Sequence, residues 1–194
     1  MKTKFRKRLL AYLLDMLIVS FIFSSVMAFI PENKNLIVLD SELNQLNEQY
    51  LKNEIDSNVY FNRYATITSS LDRELVLSNL FSIVLILGYF VLLPYYWDGQ
   101  TIGKKIMKIK ISKKEGNLNL NDLLLRSLIV NEVAISIISL CFIYILSDFS
   151  YFLLTLICSF IQILLVIISI FMIIYRHDGK GVQDLISGTQ VVEG

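Results

Sequence analysis

The chain has 194 residues, of which 55% are hydrophobic and only 18% are charged, so it is more apolar than an average soluble domain. Its formal net charge of +1 lacks the basic excess of proteins that bind phosphate backbones, and no nucleic-acid partner is expected. Few Pro and Gly residues, with no recognisable repeat or low-complexity tract, favour one domain over residues 1–194. Cys141 and Cys158 lie in apolar runs, so a disulfide framework is not expected.

Four stretches are long and apolar enough to cross a bilayer, which takes about 20 helical residues. The first stretch also resembles a cleaved signal peptide, but Asp15 is out of place in the apolar core of such a peptide. We therefore predict an all-α integral membrane protein with four transmembrane helices. The four predicted spans cover residues 9–30, 75–96, 123–146 and 151–175.

Basic residues are concentrated before the first span and in the loop of residues 97–122. Because Lys and Arg in short loops mark the cytoplasmic side of a membrane protein, this bias predicts a cytoplasmic N-terminus and a cytoplasmic tail, residues 176–194. We expect the protein to be a multi-pass protein of the plasma membrane, with the lipid bilayer as its first partner. The segment of residues 31–74 is then extracellular.

The extracellular segment is predicted to contain an amphipathic helix, because apolar residues recur in it at steps of three and four. This stripe could pack on the protein's own outer surface or the membrane interface, or it could dock a partner. Ser69 and Asp72 have the spacing of a helix N-terminus, which predicts that the second span begins there. The stripe consists of Leu36, Leu39, Leu43, Leu46 and Tyr50.

Two carboxylates, Asp15 and Glu132, fall inside predicted spans, where ionisable groups are rare and often mark ion or proton paths. Glu132 is expected near the bilayer midplane. The structural alternative for Asp15 is a pairing with Arg8 or Arg126 that fixes helices together. Arg8 and Asp15 are seven residues apart and therefore share one helix face.

Two signatures follow the second and fourth spans. The glycine spacing of the first signature does not fit a phosphate-binding loop. Alternating Ile109 and Ile111 favour a short strand, and residues 188–192 could pair with residues 107–112 to form a cytoplasmic cap, in which Asp184 would meet Arg8 or Arg126. The first signature contains Gly99, Gln100, Thr101, Gly103 and Lys104.

Four features of the chain occur in one order: Arg8 and Asp15 in the first span, the Gly99–Lys104 signature, Arg126 at the third span, and the tail from Asp184 to Thr189. In these features the chain resembles the RDD family of membrane proteins. The resemblance implies transport, including cation or proton exchange, or association with other membrane proteins. Glu132 is not a residue of that family pattern, so any role for it rests on physical argument alone.

The resulting hypothesis is a transporter or cation/proton exchanger that couples to a small cation or proton. Asp15 is the first candidate for the coupling residue, and Glu132 is the second. Arg8, Arg126 and Asp184 would tune these carboxylates. Because four short helices form a thin wall around a path, this hypothesis implies a homo-oligomer. The alternative is a non-catalytic adaptor or regulator that binds another membrane protein. No enzymatic activity, cofactor or metal site is expected, since His177 is the single His and has no ligand cluster around it.

Overall fold

The computed structural model describes residues 3–31, 33–113 and 115–194. Three of its helices are long and apolar enough to cross a membrane: α1 (Phe5–Met27), the helical stretch Val76–Tyr96, and α9 (Asp148–Tyr175). Their large apolar side chains are mostly exposed, as expected for helices whose surface faces lipid. These three helices agree with the first, second and fourth predicted spans, so the chain is a mostly helical membrane protein.

The second span is not a uniform α-helix. It consists of α4 (Val76–Leu87), a π-helical turn (Gly88–Leu92) and α5 (Leu93–Tyr96). A π-helical turn inserts one extra residue into the helix and rotates the side chains that follow. Tyr89 and Phe90 of this turn are buried against α1.

The third predicted span is interrupted, which corrects the expectation of one helix over residues 123–146. Two short helices, α7 (Leu120–Val130) and α8 (Val133–Phe142), meet at an angle of 76°. Glu132 between them adopts a left-handed conformation with φ of 57°, which a right-handed helix cannot continue through. The Gln162 side chain of α9 donates to the Ile129 carbonyl at 2.6 Å, so a backbone acceptor freed by the break is satisfied from a neighbouring helix.

The segment between the first two spans forms two helices, α2 (Lys34–Leu51) and α3 (Ser57–Glu74), packed as a hairpin. Most of the apolar stripe of α2 faces inward, and Leu46 within it is fully buried. The predicted start of the second span at Ser69 is wrong, because Ser69 lies inside α3 and the chain breaks only at Leu75. Asp56 caps α3 by accepting a hydrogen bond from the Val59 amide, which satisfies a donor of the first helical turn.

At the other end of the bundle, two short helices and two strands form a cap. The cap contains α6 (Ile102–Ile106), β1 (Ile109–Lys113), α10 (Val182–Ile186) and β2 (Thr189–Glu193). The strands pair antiparallel, with Ile111 opposite Val191. The hypothesis that residues 107–112 contact residues 188–192 is confirmed. The fold is therefore helical apart from this two-stranded sheet.

The cap is a structural repeat, contrary to the expectation that the chain contains none. Residues 98–113 and 178–193 each pass from an Asp-Gly pair through a five-residue helix and a left-handed turn into a strand. Gly99 and Gly179 both have positive φ, as do Lys108 and Gly188 at the second turn. The pair Ile111–Val191 lies at the centre of the sheet and relates the two motifs by a local twofold axis.

The same twofold relation extends to the helices that lie over the two strands. Lys7 at the start of α1 forms an ion pair with Glu193 of β2, and Asp122 at the start of α7 forms an ion pair with Lys113 of β1. One turn further along, Ala11 of α1 packs on Ile109, while Arg126 of α7 contacts Thr189. Thus α1 and α7 are counterparts, each followed by a long span and a cap motif.

Candidate functional site

Asp15 occupies a fully buried polar site between α1 and the N-terminus of α6. Its carboxylate accepts hydrogen bonds from the Tyr89 hydroxyl at 2.7 Å, the Thr101 hydroxyl at 2.5 Å and the Gly103 amide at 2.7 Å. The Lys104 ammonium lies 3.7 Å away. The suggested pairing of Asp15 with Arg8 or Arg126 is therefore wrong. Charge-assisted bonds of this kind fix a carboxylate firmly, so Asp15 anchors the first cap motif to α1.

Each residue of the first signature has a local function in that anchor. A Cβ atom at Gly99 would overlap the Ile111 carbonyl, and one at Gly103 would overlap the Ala11 carbonyl oxygen and the Asp15 carboxylate. The Gln100 side chain donates to the Ile109 carbonyl. Thr101 caps α6 by accepting from the Lys104 amide. The signature is thus a close-packed junction between helix and cap.

Lys104 is the buried cation of this junction, with only 13% of its side chain exposed. Burial lowers the pKa of Lys104 to about 8, although the nearby negative charge of Asp15 acts in the opposite direction. Desolvation disfavours the ammonium form and an adjacent carboxylate favours it. Its charge therefore depends on pH close to the physiological range.

The second cap motif is held by a different set of charges. Asp184 is fully buried and accepts hydrogen bonds from Arg8, at 2.9 Å, and from Arg126. It also accepts from the Gly181 amide at 3.0 Å and closes the first turn of α10. Burial alone would raise the pKa of Asp184, but Arg126 and Arg8 together hold it below its ordinary value. The expected meeting of Asp184 with Arg8 or Arg126 is confirmed, and it involves both.

Two guanidinium groups share this one carboxylate, which leaves them incompletely bonded. Arg8 donates through Nη1 to Asp184 and through Nη2 to the Val191 carbonyl, while its buried Nε has no acceptor among the described residues. Arg126 bonds Asp184 and Thr189 through Nη1 alone. A guanidinium carries five N–H donors, so several donors of this pair remain for another acceptor.

A cavity of about 310 Å³ adjoins this arginine pair, between α1, α7 and α9. Strand residues Ile109 and Val191 lie at its base. The helices α1 and α9 line it from different sides and make few direct contacts with each other. Its walls are formed mainly by apolar side chains of Leu9, Ile129, Val130, Leu165, Val166, Ile170 and Ile173.

Glu132 lies on the same cavity as Arg8 and Arg126. Its side chain is exposed, at the break between α7 and α8, and it forms no ion pair within the part of the chain that the structure describes. Broken helices at membrane depth are tolerated where the irregular backbone lines a cavity or packs on protein. Of the two carboxylates singled out from the sequence, Glu132 therefore borders open space, whereas Asp15 is enclosed by its partners.

The sequence reasoning missed a third polar cluster at the hairpin end of the bundle. The Tyr151 hydroxyl donates to Asp72 at 2.8 Å and lies 2.5 Å from the Ser139 hydroxyl, while Arg73 bonds Asp148 at 2.6 Å. These contacts connect α3 to α8 and α9. Acidic and basic residues at adjacent helix ends were visible in the sequence, but their partners lie in distant segments.

No group of three or more His, Cys, Asp or Glu side chains that could hold a metal ion occurs within residues 3–31, 33–113 and 115–194.

Comparisons with known proteins place the chain in a family. A search of curated proteins and a search of solved structures each found no match. The family model described as the RDD family matches residues 2–188, which is nearly the whole chain. Arg8, Asp15, the Gly99–Lys104 signature, Arg126 and Asp184 all lie within the matched range. The chain belongs to the RDD family of membrane proteins.

Proposed function

We propose that this protein is a transporter in which Glu132, in the cavity between α1, α7 and α9, takes up and releases a proton. The observation that carries the proposal is the position of Glu132 at a helix break, on a cavity shared with two incompletely bonded arginines. Within the described ranges no ion pair or hydrogen bond occupies the Glu132 carboxylate, so its oxygens stay accessible to a proton from the cavity.

The charges around Glu132 come from three elements. α1 supplies Arg8 and the phenol of Tyr12, and α7 supplies Arg126. α10 supplies Asp184, which reaches this group of charges through its ion pairs with the two arginines. The side chains of α9 on the cavity are uncharged. Two cations therefore face two anions when Glu132 is ionised. Protonation of Glu132 leaves an excess positive charge, so proton binding and substrate binding are coupled through charge.

The internal repeat supports a transporter. Each of the two related units contributes a helix, a long span and a cap motif, and transporters built from parallel repeats bind substrate at the interface of the repeats. The cavity adjoins α1 of the first unit and both α7 and α9 of the second. It therefore lies at such an interface.

In this proposal the cap faces the cytoplasm, the α2–α3 hairpin is extracellular, and the protein resides in the plasma membrane. The basic loop of residues 97–122, which contributes α6 and β1 to the cap, supports this orientation. The proposal includes no enzymatic step. A second copy of the chain would complete the wall that α1 and α9 leave thin, so we propose a homo-oligomer as the working unit.

The test is proton flux into liposomes that contain the purified protein, driven by an imposed ion gradient and read from an internal pH dye. Glu132→Gln is expected to abolish flux. Glu115→Gln is the matched control, because Glu115 is exposed and outside the cavity, and it should leave flux unchanged. Asp15→Asn protein that still folds should retain flux. Equal flux from the wild type and Glu132→Gln would overturn the proposal.

If the protein is instead an adaptor, its candidate docking surface is not the apolar stripe suggested by the sequence. Leu39 and Leu43 lie on the inward stripe of the α2–α3 hairpin, whereas Ile37 and Val38 are exposed on α2. An adaptor would use this exposed pair. Loss of a co-purified membrane partner after Ile37→Ser and Val38→Ser, together with absent proton flux, would favour the adaptor.

A further inference from the structure

We propose that the cavity binds a single-chain amphiphile with an oxyanion head, such as a carboxylate or a phosphate. The inference uses the cavity of the proposed transport function and adds the chemical class of its ligand. Its head would lie against Arg8 and Arg126, and its alkyl chain would follow the apolar wall of α9.

The arginine pair supplies the head site. Side chains of Arg8 and Arg126 are only 10% and 14% exposed, and the single carboxylate between them neutralises one of the two charges. The Arg8 Nε is buried and has no acceptor within the described ranges, and a buried donor without an acceptor is costly. The Nε and Nη2 groups of Arg126 are not fully buried, and no described residue accepts a hydrogen bond from them. Carboxylate and phosphate oxygens match the planar donor geometry of guanidinium groups.

The walls specify the rest of the ligand. Beyond the arginines the cavity is lined mostly by apolar side chains, including Val166, Ile170 and Ile173 of α9. An inorganic anion would leave this surface without a partner, whereas an alkyl chain would cover it. The volume of about 310 Å³ is at the lower end of small-molecule sites, which favours one chain over the two chains of a phospholipid.

The Glu132 carboxylate lies on the cavity and affects the charge that a bound oxyanion meets. Ionised Glu132 lies on the same cavity as the bound oxyanion, and two like charges repel each other in a region of low dielectric constant. The ionisable groups that share the cavity with Glu132 are Arg8 and Tyr12 of α1 and Arg126 of α7, and the residues of α9 on the cavity are uncharged. Asp184 of α10 pairs with both arginines. Affinity for the amphiphile should therefore rise when the Glu132→Gln substitution removes this negative charge.

The experiment measures binding of laurate and dodecyl phosphate to the full-length protein in nanodiscs of neutral phosphatidylcholine, by microscale thermophoresis. Dodecanol, dodecyltrimethylammonium and inorganic phosphate are tested at the same concentrations. Laurate and dodecyl phosphate should bind at least tenfold more tightly than each of these three probes. Inorganic phosphate binding as tightly as dodecyl phosphate, or equal binding of dodecanol, would overturn the inference. An anionic phospholipid that competes as well as laurate would overturn the single-chain assignment.

Variants separate the head site from the wall. Arg126→Gln leaves the Arg8–Asp184 ion pair in place and should weaken binding at least tenfold. Ile170→Trp fills the cavity and should do the same, while Ile168→Trp on the same helix, outside the cavity, should change affinity less than twofold. If Ile168→Trp weakens binding as much as Ile170→Trp, the cavity is not the site.

A further arm compares laurate binding to the wild type and to Glu132→Gln at one fixed pH. Removal of the carboxylate charge should make Glu132→Gln bind laurate more tightly than the wild type. Equal or weaker binding by Glu132→Gln contradicts the charge coupling. Amphiphile binding with these properties but without proton flux would support this inference and reject the transport proposal. Proton flux without amphiphile binding would support the transport proposal and reject this inference.

Discussion

Lys104 and Asp184 stand at corresponding positions of the two cap motifs, and each is the buried charge that faces α1. Lys104 approaches Asp15 at 3.7 Å, and Asp184 binds Arg8 at 2.9 Å. The polarity of the two contacts is opposite. Because Arg8 and Asp15 lie two turns apart on one face of α1, each motif meets the α1 residue of opposite charge. If the two motifs exchanged places, Lys104 would meet Arg8 and Asp184 would meet Asp15, so like charges would face each other. The reversal of charge therefore disfavours the exchanged arrangement.

Replacing Asp184 by Asn should strongly destabilise the protein. The variant leaves two buried guanidinium groups without their carboxylate, and breaking a buried pair from one side costs about 3–5 kcal/mol. Asp178→Asn is the matched control, since Asp178 pairs with Arg176 in an exposed part of the same tail, where such pairs contribute about 0–1 kcal/mol. Thermal unfolding in detergent should separate the two variants clearly. Equal melting temperatures would contradict the described geometry.

Stability above pH 8 should depend on Lys104. Its pKa is about 8 in the folded protein and close to 10.4 in an unfolded chain. Between these values the unfolded state binds more protons, so the contribution of Lys104 to stability rises with pH.

The measurement compares the wild type with Lys104→Met over pH 7 to 10.5. The difference in unfolding free energy should change by at most about 1.4 kcal/mol per pH unit within that window. Exposed Lys105 gives the control variant, Lys105→Met, which should follow the wild type. If the unfolding free energy of Lys105→Met depends on pH in the same way as that of Lys104→Met, Lys104 is not the titrating group.

Gly103→Ala should disturb the junction between α1 and α6. The added methyl group would overlap the Ala11 carbonyl and the Asp15 carboxylate, and overpacking of this kind costs about 1–3 kcal/mol. Gly88→Ala places the same methyl group where no atom lies within 4 Å and should leave stability nearly unchanged. Melting temperatures of the two variants test this difference. A Gly88→Ala protein that melts as low as Gly103→Ala would argue against the close approach.

Tyr151→Phe should loosen the attachment of the α2–α3 hairpin to the bundle. The buried Tyr151 hydroxyl donates to Asp72, and loss of one partner of a buried hydrogen bond costs about 1–3 kcal/mol. Tyr175 is 78% exposed, so Tyr175→Phe should have little effect. Limited proteolysis of the α2–α3 hairpin should be faster in Tyr151→Phe alone.

The repeat shows why some features were hidden in the sequence. The two cap motifs share the pairs Asp98-Gly99 and Asp178-Gly179, but Thr101 corresponds to Gly181 and Lys104 to Asp184. What the motifs have in common is a path of the backbone, with left-handed turns at Lys108 and Gly188. The same backbone conformation can be formed by side chains of very different chemistry. The two motifs therefore share their geometry but little sequence identity, and the repeat could not be recognised in the sequence.

The third span illustrates the same limit. Its composition over residues 123–146 is apolar enough for a continuous helix, although Arg126, Asn131 and Glu132 interrupt its first half. The bend of 76° needs Gln162 of α9 to satisfy the freed Ile129 carbonyl. That contact joins residues far apart in the chain, so periodicity could not reveal it.

The sequence by itself determined the three continuous spans, singled out Asp15 and Asp184 as charges of the site, and suggested the pairing of residues 107–112 with 188–192. Helix length against bilayer thickness and the alternation of apolar residues are local properties that a single chain displays directly. Only the tertiary structure decided that Asp15 meets Lys104, that Asp184 meets both arginines, and that Glu132 borders a cavity. Every carboxylate attracts every cation, and only the distances set by packing choose among them.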